Sequence, residues 1–137
     1  MAATITRAEY FYTTVTDRPG EAYNLLSQLA DSEATVLAFS AVPMGPDQTQ
    51  LMVFPQNVDA FVRESERTGI GLAGPHHAIL VRGDDKLGSL IEIHRKLFDA
   101  NINIYASSGV TADCGRFGYL VHVREEDFER AAMVLGA

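Results

Sequence analysis

The sequence predicts an α+β chain built from two tandem ferredoxin-like modules. Each is an antiparallel sheet with helices on one face, and the second lacks its own fourth strand. Three observations predict this. First, the chain repeats itself: shifted by 68 residues, DRPGEAYNLLSQLADSEATVLAFSAV (17–42) falls on DKLGSLIEIHRKLFDANINIYASSGV (85–110) without a gap. Asp17 meets Asp85, Gly20 meets Gly88, Leu29 meets Leu97, Ala38 meets Ala106 and Val53 meets Val121. Second, each copy reads strand, Asp/Gly turn, helix, hairpin, helix, and such a β-α-β-β-α order folds most simply as a split βαβ sheet. Third, residues 69–74 (GIGLAG) can add a fourth strand to the first copy, whereas the second runs out at Ala137. The expected modules are 1–74 and 75–137. The open edge of the second must be covered by exchange between the copies or by another subunit.

In chain order, YFYTTV (10–15) and AILVR (78–82) are short runs of β-branched and aromatic residues, hence first strands. The helices that follow are expected over 19–30 and 87–100. Pro19 sits in the first turn, where its missing N–H costs nothing. Helical spacing assigns Ala22, Leu25, Leu26 and Leu29 to the inner face of one, and Leu90, Ile91, His94, Leu97 and Phe98 to that of the other. Hairpins follow at 35–42 with 49–54 and at 103–110 with 117–123, turning through PMGPDQ and TADCGR. Asn57 can cap a closing helix that stops at Gly69, and REEDFERAAMVLG closes the second copy with acid in its first turn.

Alternation along the strands puts Phe11, Thr13, Val15, Val36, Ala38 and Ser40 beneath the helices, with Ile79, Val81, Ile104, Ala106 and Ser108 as counterparts. The opposite face then carries Tyr10, Tyr12, Leu37, Phe39, Leu80 and Tyr105, an apolar set expected to pack on another sheet.

Composition excludes several functions. The chain has 137 residues, 47% hydrophobic and 21% charged, the balance of one globular domain or two small ones. Its net charge is −7, with Lys and Arg scattered singly, which argues against nucleic acid or an anionic membrane as partner. No run approaches the roughly 20 apolar residues of a membrane span. MAATITRAEY has no apolar signal core and Cys114 is the single cysteine, so a cytoplasmic protein without a disulfide framework or a cysteine metal site is expected. Small molecules and other proteins remain as partners.

The Asp-x-Pro-Gly-x loop before a helix, the β-α-β-β-α-β order, the tandem copies and the run NINIYASSGV (101–110) resemble the ACT domain family, the second copy being similar to aspartokinase-type modules. The resemblance implies a regulatory module that binds a small ligand, commonly an amino acid, between modules, without a catalytic domain, cofactor or metal of its own. With nothing catalytic fused, regulation would act on a separate protein, and the duplication with its apolar sheet face leads to the expectation of a homodimer. The ligand would meet the first loop, Asp17, Arg18, Pro19, Gly20 and Glu21, with the strand residues Leu37 and Ala38. In the second copy it would meet Asp85, Lys86, Leu87 and Gly88 with Tyr105, Ala106 and Ser107. A helix N-terminus offers free N–H groups to a carboxylate, an aspartate can accept from an ammonium, and glycine allows close approach. Leu87 stands where the family prefers proline, so the second rim is expected to differ from the first.

Each feature also has a purely structural explanation. Thr16 or Asp17 can simply cap a helix. His76 and His77 point to opposite faces of any strand and chelate one ion poorly, which makes them linker residues. His94 is expected as a buried, hydrogen-bonded core histidine, His122 on the face opposite Val121 and Val123, and Cys114 as an exposed loop thiol without a base to activate it. No nucleophile, acid–base pair or metal set is visible, so no catalytic residue is assigned. A small enzyme on this scaffold and a pure interaction module remain alternatives.

Overall fold

A computed structural model describes residues 3–31, 35–84 and 86–137. Its elements are β1 (Thr4–Thr16), α1 (Glu21–Asp31), β2 (Val36–Pro43), β3 (Gln48–Pro55), α2 (Val58–Thr68), β4 (Ala73–Gly83), α3 (Lys86–Asp99), β5 (Ala106–Thr111), β6 (Phe117–His122) and α4 (Glu125–Leu135). The fold is α+β and ferredoxin-like, as expected from the repeat. The chain forms two compact units, residues 9–76 and residues 77–137 with 1–8.

Two strands are longer than their sequence signals. Of the expected fourth strand of the first copy, 69–74, only Ala73 and Gly74 are strand, and they run on into the first strand of the second copy as one strand, β4; β1 begins at Thr4 rather than Tyr10. In the first unit the order is β2-β3-β1-β4, completed by residues 73–76; in the second it is β5-β6-β4-β1, completed by residues 4–8. The strand that the second copy lacks is thus supplied by the N-terminus. Thr6 donates to the Leu80 carbonyl at 3.4 Å. Arg7 bonds both Glu129 oxygens at 2.8 and 3.0 Å and lies 5.8 Å from the Phe128 ring centroid. His76 and His77 therefore sit within β4, not in a linker, because the strand continues through them. His76 stacks on Tyr12 with ring centroids 5.0 Å apart, while the Nδ1 of His77 lies 3.3 Å from Glu125.

In the first unit, Phe11, Leu25, Leu29, Leu51, Val53 and Phe61 form the buried core. Leu26, expected inward, is 41% exposed. In the second, Ile79, Val81, Ile93, Leu97, Val121, Phe128 and Ala131 are buried together. The inner seam of α3 is Leu90, Ile93 and Leu97, so the expected phase is wrong by part of a turn. Ile91 is 61% and Phe98 81% exposed, and His94 is also on the outer side. Periodicity alone could not choose, because Leu87, Ile91, His94 and Phe98 keep a helical spacing as regular as the true seam.

Strand alternation breaks at equivalent places. Val36 pairs with Pro55 but Ala38 pairs with Phe54, an irregularity that turns Phe39 onto the helix side and Ala38 and Ser40 away from it. In the second copy Ile104 packs on the helix-side core, yet Ala106 opposes His122 on the other face and Ser108 opposes Leu120. The expected inward sets are corrected accordingly: in β2 one extra residue reverses every position after it, and in the second copy the change falls before β5 begins at Ala106.

The helix ends follow their capping residues. Asn57 accepts from the Ala60 N–H at 3.0 Å, and Gly69 and Gly136 close α2 and α4 in left-handed geometry. Helix α1 starts at Glu21, not Pro19, because Gly20 has φ +96°, outside helical geometry. Gly74 must be glycine, since a Cβ there would lie 2.8 Å from the Tyr10 carbonyl oxygen.

Candidate functional site

The first rim is an exposed turn between β1 and α1. The Asp17 N–H bonds the Asp47 carbonyl at 2.8 Å, which ties the turn to the β2–β3 hairpin. Arg18 donates to Glu21 at 2.7 Å, so the only basic side chain of the rim is engaged by the first residue of the helix. Gly20 has open space where a Cβ would stand. The first-turn N–H groups of α1 lie at this rim beside the Glu21 carboxylate, which competes with any ligand anion.

In the second rim, Asp85 lies outside the described residues. Lys86 begins α3, and Leu87 and Gly88 are exposed on its first turn, Leu87 at 67%.

The strand segments lie far from the rims of their own units. Thr16 pairs with Gln48 and Ala38 with Phe54, so loop and strand segment are separated by the length of β3, about 20 Å at ~3.4 Å per residue. Gly83 pairs with Phe117 and Ala106 with His122, about 17 Å along β6 by the same rise. Asp17, Arg18, Pro19, Gly20 and Glu21 come together; Leu37 and Ala38 do not join them. Leu87 and Gly88 are equally remote from Tyr105, Ala106 and Ser107. A ligand touching both parts needs a strand from another module.

Sequence reasoning missed the local surroundings of Tyr105 and Ser107. They line an open cleft of about 540 Å³ between the C-terminal half of α3 and the approach to β5, with His94 and Phe98 on the helix side. The Nε2 of His94 lies 2.7 Å from the Tyr119 hydroxyl, joining α3 to β6. On the opposite face of that sheet the Tyr105 ring is 6.3 Å from His122. Burial holds the His122 imidazole below its ordinary pKa, because desolvation penalises the cation. In the first unit a larger concavity, about 1070 Å³, lies at the start of α2 among Glu9, Gln56, Asp59, Arg63 and Glu64. Its mixed charges carried no pattern in the sequence.

Among the described residues no group of His, Cys, Asp and Glu could hold a metal ion, and no helix is long and apolar enough to cross a membrane. Cys114 is exposed in its hairpin.

No family model and no curated protein matches the sequence. Solved structures do match in fold. A Bacteroides thetaiotaomicron protein is 11% identical with a TM-score of 0.74, over 98% of this chain and 88% of that one. The ligand-free regulatory subunit of aspartate kinase from Thermus thermophilus is 13% identical at 0.66, over 99% and 96%. Its counterpart from Thermus flavus is 16% identical at 0.59, over 98% and 94%. At these identities the likeness establishes the architecture: the chain has the tandem ferredoxin-like fold of those regulatory subunits.

Proposed function

We propose that the protein is a regulatory sensor that binds a small metabolite, an amino acid or a close analogue, as a homodimer, and has no catalytic machinery of its own. The observation that carries this is the duplicated unit whose fold follows an aspartate kinase regulatory subunit along nearly the whole of both chains. The rim at Asp17–Gly20 supports it chemically: it is exposed, and it sets an acidic side chain and a glycine with open space at one helix start. Because the rims are remote from the strand segments of their own units, the segment that completes a site comes from another copy. The flank of the second unit suits such pairing. Strand β5 bonds to β6 on one side, all six of its residues are exposed, and Leu87 and Ile91 are exposed on α3 of the same unit.

A thermal-shift screen of the twenty amino acids tests this. A ligand at about 100 times its dissociation constant adds roughly 2.7 kcal/mol, a visible rise in melting temperature. The rise should vanish in Asp17→Ala. A silent screen, with one stoichiometric enzyme or transporter co-purifying, would replace this reading with that of an interaction module. The exposed β5 edge serves that alternative equally.

A further inference from the structure

The cleft beside α3 has a counterpart in the first copy, and the comparison shows what has changed. Under the 68-residue shift Leu26, Ala30, Leu37, Phe39, Ala41 and Leu51 align with His94, Phe98, Tyr105, Ser107, Gly109 and Tyr119. In the first unit Phe39 packs on the core from the helix side of β2. Ser107 occupies that position in β5, opposite Val121, and leaves the space open. The changes around it act together. Gly109 makes room for Tyr119, since a Cβ there would stand 2.9 Å from its Cδ1. Tyr119, 6% exposed, then reaches His94 with its hydroxyl. At the margin Phe98, 81% exposed, replaces Ala30, while Tyr105, which replaces Leu37, has its ring on the other face beside His122.

We propose that this cleft is a binding site for a small, uncharged, planar aromatic molecule carrying one hydrogen-bonding group. Phe98 supplies a ring face beside the space that Phe39 fills in the first copy, and ring–ring contact adds to the area it buries. Ser107 Oγ and the Nδ1 of His94 supply the polar contacts; Nε2 is already used by Tyr119. No charge is left over to recognise an ion. The Leu97 carbonyl accepts from Ile102, that of Phe98 from Asn101 and that of Ala100 from Arg130, while Arg95 is bound by Glu92 and Asp99. The site lies within one unit and does not depend on the Asp17 rim.

The protein contains no tryptophan, so indole serves as a fluorescent probe against a dark background. Indole emission should shift to the blue and saturate on titration with the full chain. Amide shifts in ¹H–¹⁵N spectra should centre on His94, Ser107 and Gly109. Ser107→Phe, which restores the side chain of the first copy, should weaken binding at least tenfold, and Phe98→Ala several-fold. Asp17→Ala should bind indole like the wild type, which separates this site from the rim. Phe98 is exposed, so Phe98→Ala decides the matter even where Ser107→Phe fails to fold. Absence of saturable indole binding, wild-type affinity in Phe98→Ala, or amide shifts confined to residues 9–76 would each overturn the assignment.

Discussion

Removing residues 1–7 tests whether the N-terminal strand belongs to the distant unit. Residues 4–8 lie beside β4 in the unit formed by 77–137, although they are joined in sequence to residues 9–76. Ile5 packs on the second core, and partial burial of such a side chain contributes about 1–2 kcal/mol. Each ladder hydrogen bond lost with β4 costs about 1 kcal/mol more. The Arg7–Glu129 pair adds well under 1 kcal/mol, because its side chains are 46% and 75% exposed. The total, of order a few kcal/mol, is a large part of the roughly 5–15 kcal/mol that holds an ordinary domain. Native-state hydrogen exchange reads the result by location. Amides of Ile79, Val81 and Val121 should lose protection by about that amount, while Leu51, Val53 and Phe61 keep theirs. Equal losses in both units, or losses confined to 9–76, would refute the argument.

Three further outcomes follow from single positions. Asn57→Ala should lower stability by about 1 kcal/mol in denaturant titration, since it removes the side-chain cap of α2. Gly109→Ala should cost about 1–3 kcal/mol, read as a lower melting temperature, because the Tyr119 ring must move to admit the methyl group. His122 gives a pH dependence of known sign. Its folded pKa lies below the ordinary 6.5, so the unfolded chain takes up a proton that the folded chain refuses. Its contribution is complete above about pH 6.5 and falls on acidification by up to roughly 1.4 kcal/mol per pH unit, levelling off once the folded imidazole is protonated. His122→Gln should remove that part of the slope, measured as the difference between the two proteins' stability curves.

Much of the architecture was legible because it depends on local chemistry. The turn at Asp17–Gly20, the cap at Asn57 and the stops at Gly69 and Gly136 act within one or two turns of the chain. The glycine stop is used in both copies, at Gly69 and Gly136, whereas the Asn57 cap has no side-chain counterpart at the start of α4. The faces were less legible. On α3 the outer residues Ile91 and Phe98 are as apolar as the inner Ile93 and Leu97, so the pattern offered two seams and no means of choosing between them. In β2, and just ahead of β5, the alternation is inverted, and no residue type announces it. The candidate rims were readable as helix starts. Their distance from Leu37, Ala38, Tyr105 and Ser107 is set by strand register, which the sequence does not state.

By itself, the sequence determined a duplicated βαββα chain with its turns and caps, and it led to the expectation of an open edge in the second copy. These follow from periodicity, backbone preferences and counting. Only the tertiary structure decided that residues 4–8 fill that edge, that Phe39 turns inward while its counterpart Ser107 opens a cleft, and that His94 meets Tyr119. Such contacts join segments far apart in the chain, and which of several equally apolar faces is buried depends on what the rest of the chain packs against it.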